Sequence, residues 1–270
     1  MNAGIYYNKR YFGDNKIYID RLKNALAENG AKCRAVESSS DLDGLDVLFV
    51  LGGDGTILTI ASACALKKVK IIGINYGHLG FLAEFEPEKL DEAVKLVCCG
   101  RYEVQRRSML EITCGNRIFL ALNDLVIQRS TSGTNFCNTV NIHAEIDGAT
   151  VDNFSSDGII ISTPTGSTAY SLAAGGSVLA PDIDAFIMTP VCPHSLHSRP
   201  VVFSGNSSLK LNSADTSRLL ALIVDGRSAG ELVADETVIV KRADITADFI
   251  TRDTKNFFNK LLVKLNKWSR

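Results

Sequence analysis

Apolar and polar positions follow two different rhythms along the chain, and the change falls near residue 100. Before it, short continuous apolar runs trade places with stretches of helical spacing. Gly4-Ile5-Tyr6-Tyr7 reads as a strand. Ile19, Leu22 and Leu26 then recur at helical spacing, and Gly30 follows where a helix would stop. Val47-Leu48-Phe49-Val50-Leu51 is apolar without alternation, as a strand buried on both faces of a parallel sheet must be. A helix-compatible stretch over 57–65, a second buried run over 69–74 and a helix over 87–99 backed by Gly100 complete the series. This alternation predicts an α/β N-terminal domain with a mostly parallel sheet over residues 1–100.

Beyond residue 100 the pattern becomes one short strand after another: 110–113, 118–122, 140–146, 158–161, 219–224 and 237–240. Cys114-Gly115-Asn116, Asp147-Gly148 and Asp225-Gly226 supply turn chemistry between them. The prediction is a β-rich, sandwich-like C-terminal domain over 101–251. Phe257, Leu261 and Leu265 return to helical spacing, so a helix over 254–267 is expected to pack back on the first domain.

Composition narrows the function classes. A net charge of −1 gives no electrostatic footprint for nucleic acid or an anionic membrane, and the basic run Gln105-Arg106-Arg107 reads as a solvated face. No apolar run is long enough to span a bilayer, and the first ten residues lack the apolar core of a signal peptide. Seven cysteines, an odd number with no C-x-x-C pair, read as reduced thiols of a cytoplasmic protein.

Three loops carry the candidate chemistry. The first, Leu51-Gly52-Gly53-Asp54-Gly55-Thr56, lies between a buried strand and a helix, where open α/β sheets bind their ligands. Its glycines let backbone approach a bulky anion, and the helix start beyond it offers unpaired N–H groups to phosphate. Asp54 is the anomaly: a carboxylate in a phosphate cradle, useful for a metal or for accepting the proton of an attacking hydroxyl. The plainer alternative is a tight turn with Asp54 as helix cap. Neither a P-loop nor a G-x-G-x-x-G turn is present.

The second loop, Gly73-Ile74-Asn75-Tyr76-Gly77-His78-Leu79-Gly80-Phe81-Leu82, follows the next buried strand and should face the first. The third runs from Asp157 through an apolar strand into Ser162-Thr163-Pro164-Thr165-Gly166-Ser167-Thr168-Ala169-Tyr170-Ser171-Leu172-Ala173. Its hydroxyls exceed what a helix cap needs, which points to a ligand rich in polar groups, and Tyr170 adds a ring suited to stacking on a base.

In this order and spacing the three loops resemble the motifs of the NAD kinase family: G-G-D-G-T, N-x-G-x-L-G-F-L and S-T-P-T-G-S-T-A-Y-S-L-A-A-G-G. The resemblance spans roughly residues 1–250 and includes an Asn123-Asp124 pair. It implies an enzyme that moves a phosphoryl group from ATP, another nucleotide or polyphosphate onto the 2′-hydroxyl of NAD's adenosine ribose, in a cleft between two domains. Asp54 would be the catalytic base, and Gly52, Gly53 and Gly55 would line phosphates. Asn75, Phe81 and Thr165 would contribute to the binding site. Asn123 and Asp124 would hold ribose hydroxyls, which side chains adjacent on a regular strand can do together only where the strand ends or bulges. Thr168, Ala169 and Tyr170 would frame the adenine, with Ser171, Leu172 and Ala173 behind them. Asp157 would reach a bound nucleotide, across a subunit contact in a homo-oligomer of two or four chains, and Cys192 and His194 would line the site. The family's Arg and Gln are replaced by Ser155 and Arg227 here.

A divalent metal, Mg²⁺, would be held mainly by donor phosphates, since no dedicated metal cage is visible; Cys192, His194 and His197, with Pro193 interrupting them, do not make one. His78 and His143 read as ordinary loop and strand residues. Two alternatives stand beside this reading: a lipid kinase of the diacylglycerol type, which needs an apolar substrate surface, and a non-catalytic dinucleotide sensor, which has no need of Asp54.

Overall fold

The computed structural model describes residues 1–8, 16–76, 80–130, 139–213, 219–232, 236–254 and 257–268. Gly77, His78 and Leu79 of the second loop, and Cys137, lie outside them. The chain forms two units, Met1–Arg107 with Thr246–Arg270, and Ser108–Ile245. The sequence pattern placed the first boundary at residue 100. The first unit of the structure runs a few residues further, to Arg107, into a strand that begins at Glu103.

In the first unit, β1 (Asn2–Tyr7), β2 (Lys32–Ala35), β3 (Val47–Leu51) and β4 (Lys70–Ile74) are parallel, in the order β2-β1-β3-β4. Helices α1 (Lys16–Glu28) and α3 (Leu90–Cys98) cover one face, where Leu22, Leu26, Leu90 and Val94 pack on Ile5, Phe49 and Ile72. The intervening α2 (Asp54–Lys67) turns Ile57, Ala61 and Cys64 inward from the other face. Every residue of β3 is buried, which is why its sequence shows no alternation. The edge strand β2, Lys-Cys-Arg-Ala, has no fully buried residue and left no apolar signal.

In the second unit β5 (Glu103–Cys114) pairs with β6 (Arg117–Ala121). A six-stranded sheet is built from β7 (Asp124–Arg129), β10 (Gly158–Ser162), β11 (Ala185–Val191), β12 (Val201–Ser204), β14 (Leu220–Val224) and β15 (Arg227–Leu232), in the order β12-β11-β10-β7-β14-β15. β8 (Val140–Ile146) pairs with β9 (Ala149–Ser156) and β13 (Leu209–Ser213), and β13 with β16 (Thr237–Thr251). The strand pairs β5–β6, β7–β10, β7–β14, β8–β9, β8–β13, β10–β11, β11–β12, β13–β16 and β14–β15 are antiparallel. Alternate residues from both layers, among them Ile142, Leu211 and Val240 against Leu125, Ile159 and Leu222, share one core, each worth roughly 1.5–3 kcal/mol when buried.

β16 runs far beyond the expected 237–240. Its middle carries Lys241, Arg242 and Asp244, so the apolar pattern lapses while the hydrogen-bond ladder does not. A four-residue α4 (Tyr170–Ala173) follows β10, and α5 (Phe257–Trp268) closes the chain. Among the described residues no helix is long and apolar enough to cross a membrane, and the six described cysteines are all free.

Candidate functional site

The first loop connects two fully built elements, and hydrogen bonds to the neighbouring strand exit hold it. Gly52 donates to the Ile74 carbonyl at 2.9 Å, and Tyr76 donates back to the Gly52 carbonyl at 3.4 Å. Asp54 does not cap α2. The N-cap is Gly53, no side chain caps the helix, and Asp54 occupies the first helical position, where the helix dipole favours a carboxylate.

The Asp54 carboxylate instead reaches the second loop. Its Oδ2 accepts the Phe81 N–H at 2.7 Å and its Oδ1 the Leu82 N–H at 3.0 Å. That loop doubles back along β4: Asn75 donates to the Phe85 carbonyl at 2.7 Å, and Phe85 returns a bond to Gly73. Gly80 lies so close to Asp54 that a Cβ there would stand 2.0 Å from Oδ1. The two glycine loops therefore meet at this carboxylate. An ionised carboxylate accepts about four hydrogen bonds, so capacity for a reacting hydroxyl or a cation is left.

Two cations near Asp54 escaped the sequence reading. Arg107 is 7% exposed, not on a solvated face; burial pushes its guanidinium down to about 10, while the charges of Asp54 and Glu84 pull it back up. The signal was the strand alternation of β5, which sets 107 on the same side as the buried Met109 while Arg106 stays exposed. Lys264 of α5 sits 4.0 Å over the Phe81 ring; burial lowers its ammonium and the charge of Asp54 opposes that. Phe257 packs on the same ring at 6.2 Å, and Lys260 pairs with Glu84. The closing helix thus rests on the loop that holds Asp54.

In the second unit, one group of candidate residues gathers where β7 begins, opposite the end of β10. Asp124 pairs with Ser162 in the strand register. Asp124 is 5% exposed, and among the described residues neither its carboxylate nor the Asn123 amide has a hydrogen-bond partner. Burial, and then the charge of Asp225, push the Asp124 carboxyl up to about 7. Such a group calls for a ligand's donors.

Asp225 and Gly226 are the turn that the sequence predicts, ahead of Arg227. The turn is there, with both residues at positive φ between β14 and β15. The Asp225 carboxylate also accepts the backbone N–H groups of Leu122, Asn123 and Asp124 at 2.8, 2.7 and 3.1 Å. Burial raises the Asp225 carboxyl, against these three bonds and the nearby charge of the exposed Arg227.

The hydroxyl-rich loop is tied closely to the backbone around it. Ser162, Thr163, Ser167 and Ser171 are wholly buried, and their hydroxyls bond within the protein: Thr163 to the Leu122 carbonyl at 2.5 Å, Ser167 to Pro164 at 2.7 Å, Ser171 with Thr189 at 2.9 Å. Thr168 donates to the Thr165 carbonyl at 3.2 Å, both residues being buried. The surplus of hydroxyls builds the loop's own backbone support. Ala169, Tyr170 and Ala173 remain exposed, and Leu172 is half-buried. Gly166 passes so close to Asn123 that a Cβ would lie 2.2 Å from its carbonyl oxygen.

A separate group forms at the opposite end of β10. Asp157 donates from its N–H to the Val191 carbonyl at 2.9 Å and pairs with Arg129 at 3.4 Å. His194 donates its N–H to the Ser155 carbonyl at 2.9 Å, and Cys192 is held at positive φ. Ser155, Asp157, Cys192 and His194 are thus brought together, roughly 16 Å along the chain direction of β10 from Asp124. His143 bonds Asn153 and Glu145 on the β8–β9 surface.

Comparison with known proteins follows the same two parts. Models described as the ATP-NAD kinase N-terminal and C-terminal domains match residues 16–102 and 122–252. The NAD kinase of Carboxydothermus hydrogenoformans is 35% identical over 92% of this chain and 90% of its own. That of Clostridium botulinum (strain Loch Maree) is 38% identical over 93% and 92%. Among solved structures, an NAD kinase from Archaeoglobus fulgidus in complex with ATP superposes with a TM-score of 0.80 at 25% identity, over 98% of this chain and 99% of that one. Yeast NADH kinase complexed with NADH has the same fold, with a TM-score of 0.86 at 24% identity over 98% and 87%.

Proposed function

The chain belongs to the NAD kinase family, and from that premise we propose that it transfers a phosphoryl group from ATP to the 2′-hydroxyl of NAD's adenosine ribose, giving NADP. The observation that carries this reading is Asp54: a carboxylate fixed by the Phe81 and Leu82 N–H groups at the start of α2, beside two cations. Asp54 would orient the ribose hydroxyl and take its proton. A carboxylate is a far weaker base than an alkoxide, so that proton moves late, and positioning and charge neutralisation supply most of the rate. Gly52, Gly53 and Gly55 would let the donor phosphates approach the start of α2, with Asn75 and Phe81 beside them. Arg107 and Lys264 would offset the charge gathered there.

Among the described residues no three His, Cys, Asp or Glu side chains gather as a metal site. A divalent metal, Mg²⁺ in this proposal, would be held by the donor phosphates with Asp54 as the nearby carboxylate, and would supply charge neutralisation.

Asn123 and Asp124 would receive the ribose hydroxyls of NAD. Thr165, Thr168, Ala169 and Tyr170 would frame the adenine, with Ser171, Leu172 and Ala173 supporting them and Arg227 close by. Several of the loop's hydroxyls donate within the protein, so what they keep for a ligand is acceptor capacity, beside backbone groups and the exposed Tyr170 ring. Replacing Tyr170 by Ala should weaken NAD binding by roughly 1–3 kcal/mol, and by Phe only slightly, as calorimetry would show. Equal, negligible effects would mean that the ring does not stack. Ser155, Asp157, Cys192 and His194 would serve a nucleotide bound by another copy in a cytoplasmic dimer or tetramer.

The test is incubation with NAD, Mg²⁺ and, in turn, ATP, other nucleoside triphosphates and polyphosphate, with NADP measured by an NADP-specific dehydrogenase. ATP-dependent formation is expected. No NADP from any donor would overturn the proposal.

A further inference from the structure

In a regular strand, successive N–H groups point to opposite sides, so no single acceptor can serve three in a row. Leu122, Asn123 and Asp124 all donate to one carboxylate, Asp225. The chain between β6 and β7 is therefore wrapped around that side chain. Its carbonyls are held by another element: Thr163 Oγ1 bonds the Leu122 oxygen at 2.5 Å, and the Thr163 N–H and Ser162 hydroxyl bond the Asn123 oxygen at 2.9 and 3.3 Å. With the backbone fully engaged, the Asn123 amide and the buried Asp124 carboxylate are the polar groups left without partners. Such a break is also what lets two consecutive side chains serve one ligand.

We propose that Asp225 is a positioning residue for dinucleotide binding: it fixes the Leu122–Asp124 backbone so that Asn123 and Asp124 address the same ribose. This rests on the reading that Asn123 and Asp124 hold NAD. Asp225 touches no substrate and acts through them. It also ties the affinity for NAD to the β14–β15 turn, since Asp225 holds its own place there by donating its N–H to the Asp124 carbonyl at 3.0 Å.

The experiment measures NAD binding by calorimetry, and steady-state kinetics, for Asp225→Asn, Asn123→Ala and the double variant of the full chain. Asp147→Asn, at the other Asp-Gly turn whose carboxylate accepts the Ser208 N–H, is the matched control, and melting is followed throughout. An Asn side chain sets an N–H₂ against backbone donors, so Asp225→Asn should raise the Kd and KM for NAD about 10-fold or more. Its kcat should stay within a few-fold of the parent, and Asp147→Asn should bind as the parent does. Loss through Asn123 makes the double variant little worse than either single one. Should Asp225→Asn not fold, Asp225→Ser, with an oxygen too short to serve all three donors, takes its place with the same expectations.

Parental affinity in the Asp225 variant while Asn123→Ala binds weakly overturns the positioning role alone, as do strictly additive losses. Parental affinity in Asn123→Ala overturns the ribose-site reading and the positioning role with it.

Discussion

Replacing Gly80 by Ala should lower kcat on the order of 10²-fold while the Kd for NAD changes by no more than a few-fold. A Cβ at that position would stand 2.0 Å from Asp54 Oδ1, 2.5 Å from Cγ and 2.7 Å from Oδ2. No rotation of so short a side chain clears all three contacts, so the carboxylate must shift by ~1 Å or more, a displacement that costs about two orders of magnitude when a reacting group is aligned. The same shift weakens the bonds from Phe81 and Leu82, and a loss of about 1–3 kcal/mol in stability should accompany it. Kinetics with NAD saturating, beside a thermal melt, separate the two effects. An unchanged kcat in a variant that melts lower would mean that the link between the loops stabilises the fold without aiming Asp54.

What could be read from the sequence depended on where the physical signal was local. Fully buried strands such as β3 and the glycine loops show themselves in consecutive residues, and the α/β layer, the β-rich part and the family motifs all followed from them. Strands whose sequence is polar on one face or at an edge, such as β2, β9 and the far half of β16, were missed, because partners distant in the chain decide their pairing. The same holds for the site. Asp54 announced itself as a carboxylate among glycines, but its partners Phe81 and Leu82 lie 27 and 28 residues away. Arg107 was hidden in a basic run, and only the period-two alternation of a strand not expected to reach it would have turned it inward. Asp225 was legible as a turn, yet its bonds to Leu122–Asp124 span about a hundred residues, a relation that no local pattern encodes. The hydroxyl-rich loop carries two messages at once: residue types that suit a polar ligand equally suit a tightly folded loop that must satisfy its own backbone.

The second large effect is expected at Asp54 itself. Asp54→Asn retains size and nearly retains shape but removes the proton acceptor, and a positioned general base is worth about 10² to 10⁴ in rate. The structure adds a cost: the amide N–H₂ would face either the Phe81 or the Leu82 N–H, so the variant should lose about 1–3 kcal/mol in stability and melt a few degrees lower. Binding of NAD, assigned to Asn123, Asp124 and the Tyr170 loop, should persist, so the loss should fall on kcat far more than on Kd. The decisive measurement is therefore the turnover of folded Asp54→Asn at saturating NAD and ATP, paired with calorimetric NAD binding on the same preparation. A fall of two or more orders of magnitude in NADP formation, with the Kd for NAD within a few-fold of the parent, is the expected result. Near-parental turnover in a folded variant that binds NAD would show that Asp54 only links the two glycine loops and takes no part in phosphoryl transfer.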